Sequence, residues 1–220
     1  MAYLWDSAVI FPIKILTVFF HETSHAIAAV LTGGEVHEMV VNAMQGGHVI
    51  SSGGSRFWGP TSGYLGSLGW GALIYLSASL TRYDREIMGL LGLIILVVTI
   101  TFMSPFKSLF GFSFSIVTGC LMLVFAKKLP AQVNDFSLRL TGLACMYYVP
   151  MDIYSDTIAR SHLKSDAYNL AQYLGGSTQM WGYIWLFISV VVVIACIGIG
   201  LKYDAGQGSP DELVSDEPAS

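Results

Sequence analysis

The sequence predicts an all-α polytopic membrane protein of about six transmembrane helices with a small β-hairpin between the first two. Three observations carry that expectation. Hydrophobic residues make up 54% of the 220-residue chain and charged residues only 12%, against about 25% charged in an ordinary soluble domain, so a water-soluble core of this length cannot hide the apolar surface. The apolar residues fall into six runs, approximately 8–31, 58–80, 87–103, 109–126, 138–158 and 180–201, each close to the roughly 20 residues that span a bilayer. Between the first two runs, residues 35–52 are too polar to span, and they read as paired strands.

In chain order, the first run is preceded by Asp6 and contains Lys14, with neither a basic start nor a small-residue cleavage site at its end. It is expected to be a retained membrane segment and not a signal peptide. Val36, Met39, Val40, Val41, Val49 and Ile50 flank Gly46-Gly47, which predicts that 36–45 pairs with 48–52 across that glycine turn, at or dipping into the membrane surface. The second run holds Gly59, Gly63, Gly66, Gly69 and Gly71, small residues that let helices approach closely, and tight packing is their expected role. Trp58, Trp181 and Trp185 stand near run ends, where indole rings favour the water interface. A cytoplasmic N-terminus puts Arg82, Arg85, Lys127, Lys128, Arg139 and Lys202 inside, against Arg56, Lys107, Arg160 and Lys164 outside, a small excess of the sign that orientation follows.

Residues 1–203 are expected to form one membrane domain, and 204–220 an acidic tail rich in Gly, Ser and Pro, too polar to fold alone. Its acids, Asp204, Asp211, Glu212, Asp216 and Glu217, account for more than the whole formal net charge of −4. The remainder is close to neutral, with no basic surface for nucleic acid. Cys120, Cys145 and Cys196 each lie inside an apolar run without C-x-x-C spacing; they read as small buried hydrophobes.

The chemistry is concentrated in His21-Glu22-Thr23-Ser24-His25. Residues four apart share a helix face, so both imidazoles reach one metal ion while Glu22 stands beside it. The arrangement implies Zn2+, which acidifies a water towards a pKa of about 7 so that Glu22 can accept its proton. Two imidazoles and a carboxylate inside an apolar run are costly without partners; satisfied core histidines are the plain alternative. Catalytic zinc usually has three protein ligands. His37, His48 and His162 lie in expected loops, and Asp152, Asp156 and Asp166 are the candidate carboxylates. Asp152 and Asp156 share one face of the fifth run, after Pro150, where a helix can kink. At about 1.5 Å per residue, Asp6 to His21 and Arg139 to Asp152 each correspond to roughly 20 Å, which puts Asp152 level with His21 if the two helices run parallel. Asp166 follows Arg160, His162 and Lys164 and lies nearer the outer face, unless Ser165 caps a short helix that re-enters the membrane.

At these residues the chain resembles the site-2 protease family of intramembrane zinc metalloproteases, especially its short peptidase-like branch. The resemblance rests on His21-Glu22-Thr23-Ser24-His25-Ala26, on Leu31-Thr32-Gly33-Gly34-Glu35-Val36, and on Ser165-Asp166-Ala167-Tyr168-Asn169-Leu170-Ala171 leading to Trp181. It implies zinc on His21 and His25 with Glu22 as general base. The third ligand in larger members is an aspartate in an N-x-x-P-x-x-x-x-D-G motif, which is absent here. The Ser165-Asp166-Ala167 run favours Asp166, while depth favours Asp152.

The function that follows is an intramembrane zinc metalloendopeptidase acting on a peptide bond within or beside a membrane segment of another protein. Its partners would be a membrane-protein or peptide substrate and the lipid bilayer, with no nucleic acid. Two rivals stand beside it. A metal-binding but inactive membrane scaffold would not need Glu22, and a transporter would spread its charged residues along a path and carry a paired repeat, neither of which is visible.

Overall fold

The computed structural model of the protein describes residues 10–207, with side chains described to Asp204. The six apolar runs form six long helices: α1 (Phe11–Leu31), α2 (Trp58–Leu80), α3 (Asp84–Phe102), α4 (Leu109–Lys128), α5 (Ala131–Ile153) and α7 (Thr178–Gln207). A short helix, α6 (Asp166–Leu174), stands between the last two, and strands β1 (Glu35–Val41) and β2 (Gly47–Ser52) lie between the first two. Among the described residues three helices, α3, α4 and α7, are long and apolar enough to cross a membrane. Helices α1, α2 and α5 have 21, 23 and 23 residues, long enough to span. Their hydropathy is diluted by His, Glu, Asp, Ser, Thr and Gly, several of which are buried against other elements.

Helix α1 starts with Pro12 in its first turn, where the missing N–H costs no hydrogen bond. It ends at Thr32-Gly33-Gly34. Gly33 takes φ +82°, a left-handed conformation suited to glycine, and the Gly34 N–H returns to the Ala29 carbonyl at 2.8 Å. This turn sends the chain into β1, which pairs antiparallel with β2 from Glu35↔Ser52 to Val41↔Gly47, with an irregularity between Val36 and Glu38.

The hairpin was expected, but its turn is Asn42–Gly46 and not Gly46-Gly47. The Asn42 Oδ1 accepts from the Met44 and Gly46 N–H groups at 2.9 and 3.2 Å, and Gln45 takes φ +62°. A side chain that mimics a backbone turn captures the reversal, leaving Gly47 free to sit in β2. The outer edge of β1 is covered at its end, where Ser108 Oγ donates to the Val41 carbonyl at 2.8 Å and accepts from its N–H at 3.3 Å. Lys107 pairs with Glu38 alongside.

Helix α2 is the centre of the bundle, packing on α1, α5 and α7. It contributes to both core clusters: one with Ile15, Phe19, Met39 and Ile95, the other with Met146, Ile153, Leu170 and Trp185. The crossing with α5 is set by two glycines. A Cβ at Gly142 would stand 2.6 Å from the Tyr75 nitrogen, and one at Gly71 would stand 3.0 Å from the Gly142 carbonyl. Helices α3 and α4 are joined the same way at Gly92 and Gly119. Trp185, expected at an interface, is only 2% exposed and packs against Tyr64 at 5.6 Å, whereas Trp58 is exposed.

Helix α5 begins seven residues before the apolar run, because Asn134 caps the turn before it by donating to the carbonyls of Phe125, Leu129 and Pro130. It continues past Pro150 and widens into a π-helical turn, Tyr154–Ala159, a local change typical where a backbone donor is missing. Helix α7 likewise runs past the expected boundary to Gln207, and Asp204, assigned to the tail, pairs with Arg139 at 2.7 Å. Residues 1–9, with Asp6, and 208–220, with the other tail acids, lie outside the described residues.

The glycine crossing generates a stability prediction. Gly142→Ala should lower the melting temperature in detergent, the displaced backbone costing about 1–3 kcal/mol. Gly69→Ala, where nothing lies within 4 Å of the added carbon, should be neutral or slightly stabilising.

Candidate metal centre

Helical spacing puts His21 and His25 one turn apart on α1, facing α2. Opposite them, Ser165 caps α6, its Oγ accepting from the Tyr168 N–H at 3.3 Å, and this cap fixes Asp166 as the first residue of the helix. The carboxylate so placed completes a triangle. Asp166 Oδ2 lies 3.1 Å from each Nε2 of His21 and His25, and the two nitrogens lie 3.1 Å from each other. The three side chains are 15–18% exposed.

Both imidazoles can donate to the carboxylate at these distances, and the same triangle matches a shared metal. A tetrahedral ion with bonds of about 2.0–2.1 Å holds its ligand atoms roughly 3.3 Å apart. Donor types and spacing therefore fit zinc, and among the described residues this is the group of three His, Cys, Asp or Glu that could hold a metal. The histidine orientation fits as well. His25 Nδ1 lies 2.8 Å from the Gly59 carbonyl and 3.4 Å from Ser62 Oγ; donation to the carbonyl puts the proton on Nδ1 and leaves Nε2 as the free ligand atom. The His21 ring packs edge-on against Tyr64 at 4.9 Å.

Glu22 is 5% exposed and faces the same cavity of about 580 Å³ as the triad. Beta-strand β2 comes down on it directly: a Cβ at Gly47 would stand 2.6 Å from Glu22 Oε1. Asp152 and Asp156 line this cavity too but stay outside the triad. Tyr64 donates to Asp156 Oδ2 at 3.3 Å, and Arg160 pairs with its other oxygen. The histidines expected in loops stay apart, two of them in strands: His37 in β1 meets Ser52 Oγ at 2.8 Å, His48 in β2 lies 3.9 Å from Glu38, and His162 is exposed.

Sequence reasoning missed Gly63, Gly47 and the Gly59 carbonyl. A Cβ at Gly63 would stand 2.5 Å from the Nε2 atoms of both histidines, so this glycine keeps open the space where an ion would sit. The Gly59-x-x-x-Gly63 spacing was the visible signal, and helix packing is only part of its role. Nothing in the sequence around Gly47 marks it apart from an ordinary hairpin glycine.

A family model described as Peptidase M50B-like matches residues 1–196. No curated protein and no solved structure matches the chain.

The geometry at Gly63 is directly testable. Gly63→Ala should weaken zinc binding by at least about tenfold, the range seen when groups supporting a metal site are lost. Metal content after equilibration with a zinc buffer checks this, and a melting curve close to that of the unaltered protein shows that the bundle still folds.

Proposed function

The chain belongs to the Peptidase M50B-like family, a site-2 protease family, and on that premise we propose that it is a multi-pass intramembrane zinc endopeptidase. The observation that carries this reading is the convergence of His21, His25 and Asp166 within 3.1 Å, beside a buried Glu22 on the wall of one polar cavity. His21, His25 and Asp166 would hold the ion, with Asp166 favoured over Asp152 as third ligand. Bound there, zinc supplies Lewis acidity that polarises a peptide carbonyl and acidifies the attacking water.

The chain's own groups do the rest. Glu22 accepts the proton from the attacking water and returns it to the leaving amine, as a general base that becomes a general acid. The Gly59 carbonyl and Ser62 keep the His25 ring turned towards the ion. The substrate enters as an extended strand. One edge of β1 is occupied by Ser108 at Val41, whereas β2 residues Gly47, His48, Val49 and Ser51 line the cavity. A peptide added to the edge of β2 gains main-chain hydrogen bonds, and those bonds are what an unwound membrane segment needs away from water.

Two variants test this reading. Glu22→Gln should keep its zinc and lose about 10²–10⁴-fold in cleavage of a model membrane substrate; unchanged cleavage would remove the mechanism. Asp166→Asn should lose zinc while Asp152→Asn keeps it, read by metal content of folded protein, and the opposite result would transfer the ligand role to Asp152.

A further inference from the structure

Four carboxylates face the cavity: Glu22, Asp152, Asp156 and Asp166. Two have direct partners: Asp166 sits against the two histidines, and Asp156 is held by Arg160 and Tyr64; Glu22 has its place in the proposed reaction. Asp152 differs. It is half-buried, hydrogen-bonded by Tyr148, and forms no ion pair with a basic side chain among the described residues. Arg160, the nearest basic residue in sequence, is committed to Asp156 and to Ser155 Oγ at 2.8 Å. Arg56 and Lys164 also line the cavity but are exposed, and Arg56 lies over the Tyr173 ring at 5.6 Å. A half-buried carboxylate with no direct ion pair gains from an occupant that brings a cation into contact with it.

From this we propose that Asp152 is a specificity-determining residue, selecting substrates with a lysine or arginine close to the bond positioned at the metal centre. The inference rests on the peptidase reading and names the substrate class of the same site. Tyr148, half-buried, lines the cavity with Asp152 and offers apolar surface to the methylene stem of a long basic side chain, whose charged end meets the carboxylate. Tyr148 keeps the carboxylate oriented for that contact. Basic residues are common where a membrane segment meets water, and a long stem lets the charged end reach a site below the interface.

The test measures binding separately from cleavage. The full chain carrying Glu22→Gln, loaded with zinc in nanodiscs, is titrated with a set of fluorescent host peptides. A single lysine is moved residue by residue through an otherwise uncharged ten-residue segment, and each peptide has a glutamine twin. At one or two adjacent positions the lysine peptide should bind about tenfold more tightly than its twin, the gain of a close desolvated charge pair. Adding Asp152→Asn should bring that ratio to within about twofold with zinc retained, and Asp152→Glu should keep it. The proposal is overturned by a set with no lysine preference, by a preference that survives Asp152→Asn, or by loss of zinc from that variant. Cleavage of the same peptides by the unaltered protein reads the peptidase function separately. Preference without cleavage removes the peptidase and keeps the pocket; cleavage without preference does the reverse.

Discussion

Three polar side-chain atoms held 3.1 Å apart inside a helical bundle impose the constraint to which the surrounding structure answers. Two imidazoles and a carboxylate are tolerable among apolar helices only when every one of them has a fixed partner, and the neighbouring elements supply that fixity. Helix α2 comes close enough to present its Gly59 carbonyl to His25 because Gly63 carries no side chain. Helix α6 exists as a nine-residue element whose Ser165 cap fixes the position of Asp166. Strand β2 closes over Glu22 through Gly47. Each is a local device, and each would be strained or pointless without the trio.

The same demand explains how the bundle divides. Helices α1, α2 and α5 pack on one another, and several of their polar residues serve the site and the crossings. Helices α3, α4 and α7 carry the uninterrupted apolar stretches. The α3 and α4 pair is bound within itself at Gly92 and Gly119, packs against α5 and α2, and meets the end of the β-hairpin, where Ser108 and Lys107 contact Val41 and Glu38.

Much of this was legible in the sequence, for reasons that particular residues make plain. The apolar runs announced the six long helices, and α2 begins and ends at the residues the run gave, because Trp58 and Leu80 bound it sharply. The H-E-x-x-H spacing gave a shared helix face directly. What was hidden depends on side chains acting outside their own periodicity. The start of α5 was invisible to hydropathy because Asn134 secures it through carbonyls of the preceding turn. The hairpin turn moved because Asn42 outcompeted the glycine pair. Depth favoured Asp152 because it took no account of the chain's return: the Ser165 cap starts the short α6 and brings Asp166 against the histidines.

The origin of the third carboxylate has a consequence for biosynthesis. His21 and His25 lie near the start of the chain, while Asp166 belongs to an element formed only after five of the six long helices have been made. On a ribosome, the first helix must wait in the translocon or the bilayer with its two imidazoles and Glu22 lacking that counterpart. The three side chains can meet only after α6 has been made, so the order of the elements builds in a delay: five long helices precede the residue that joins the two histidines.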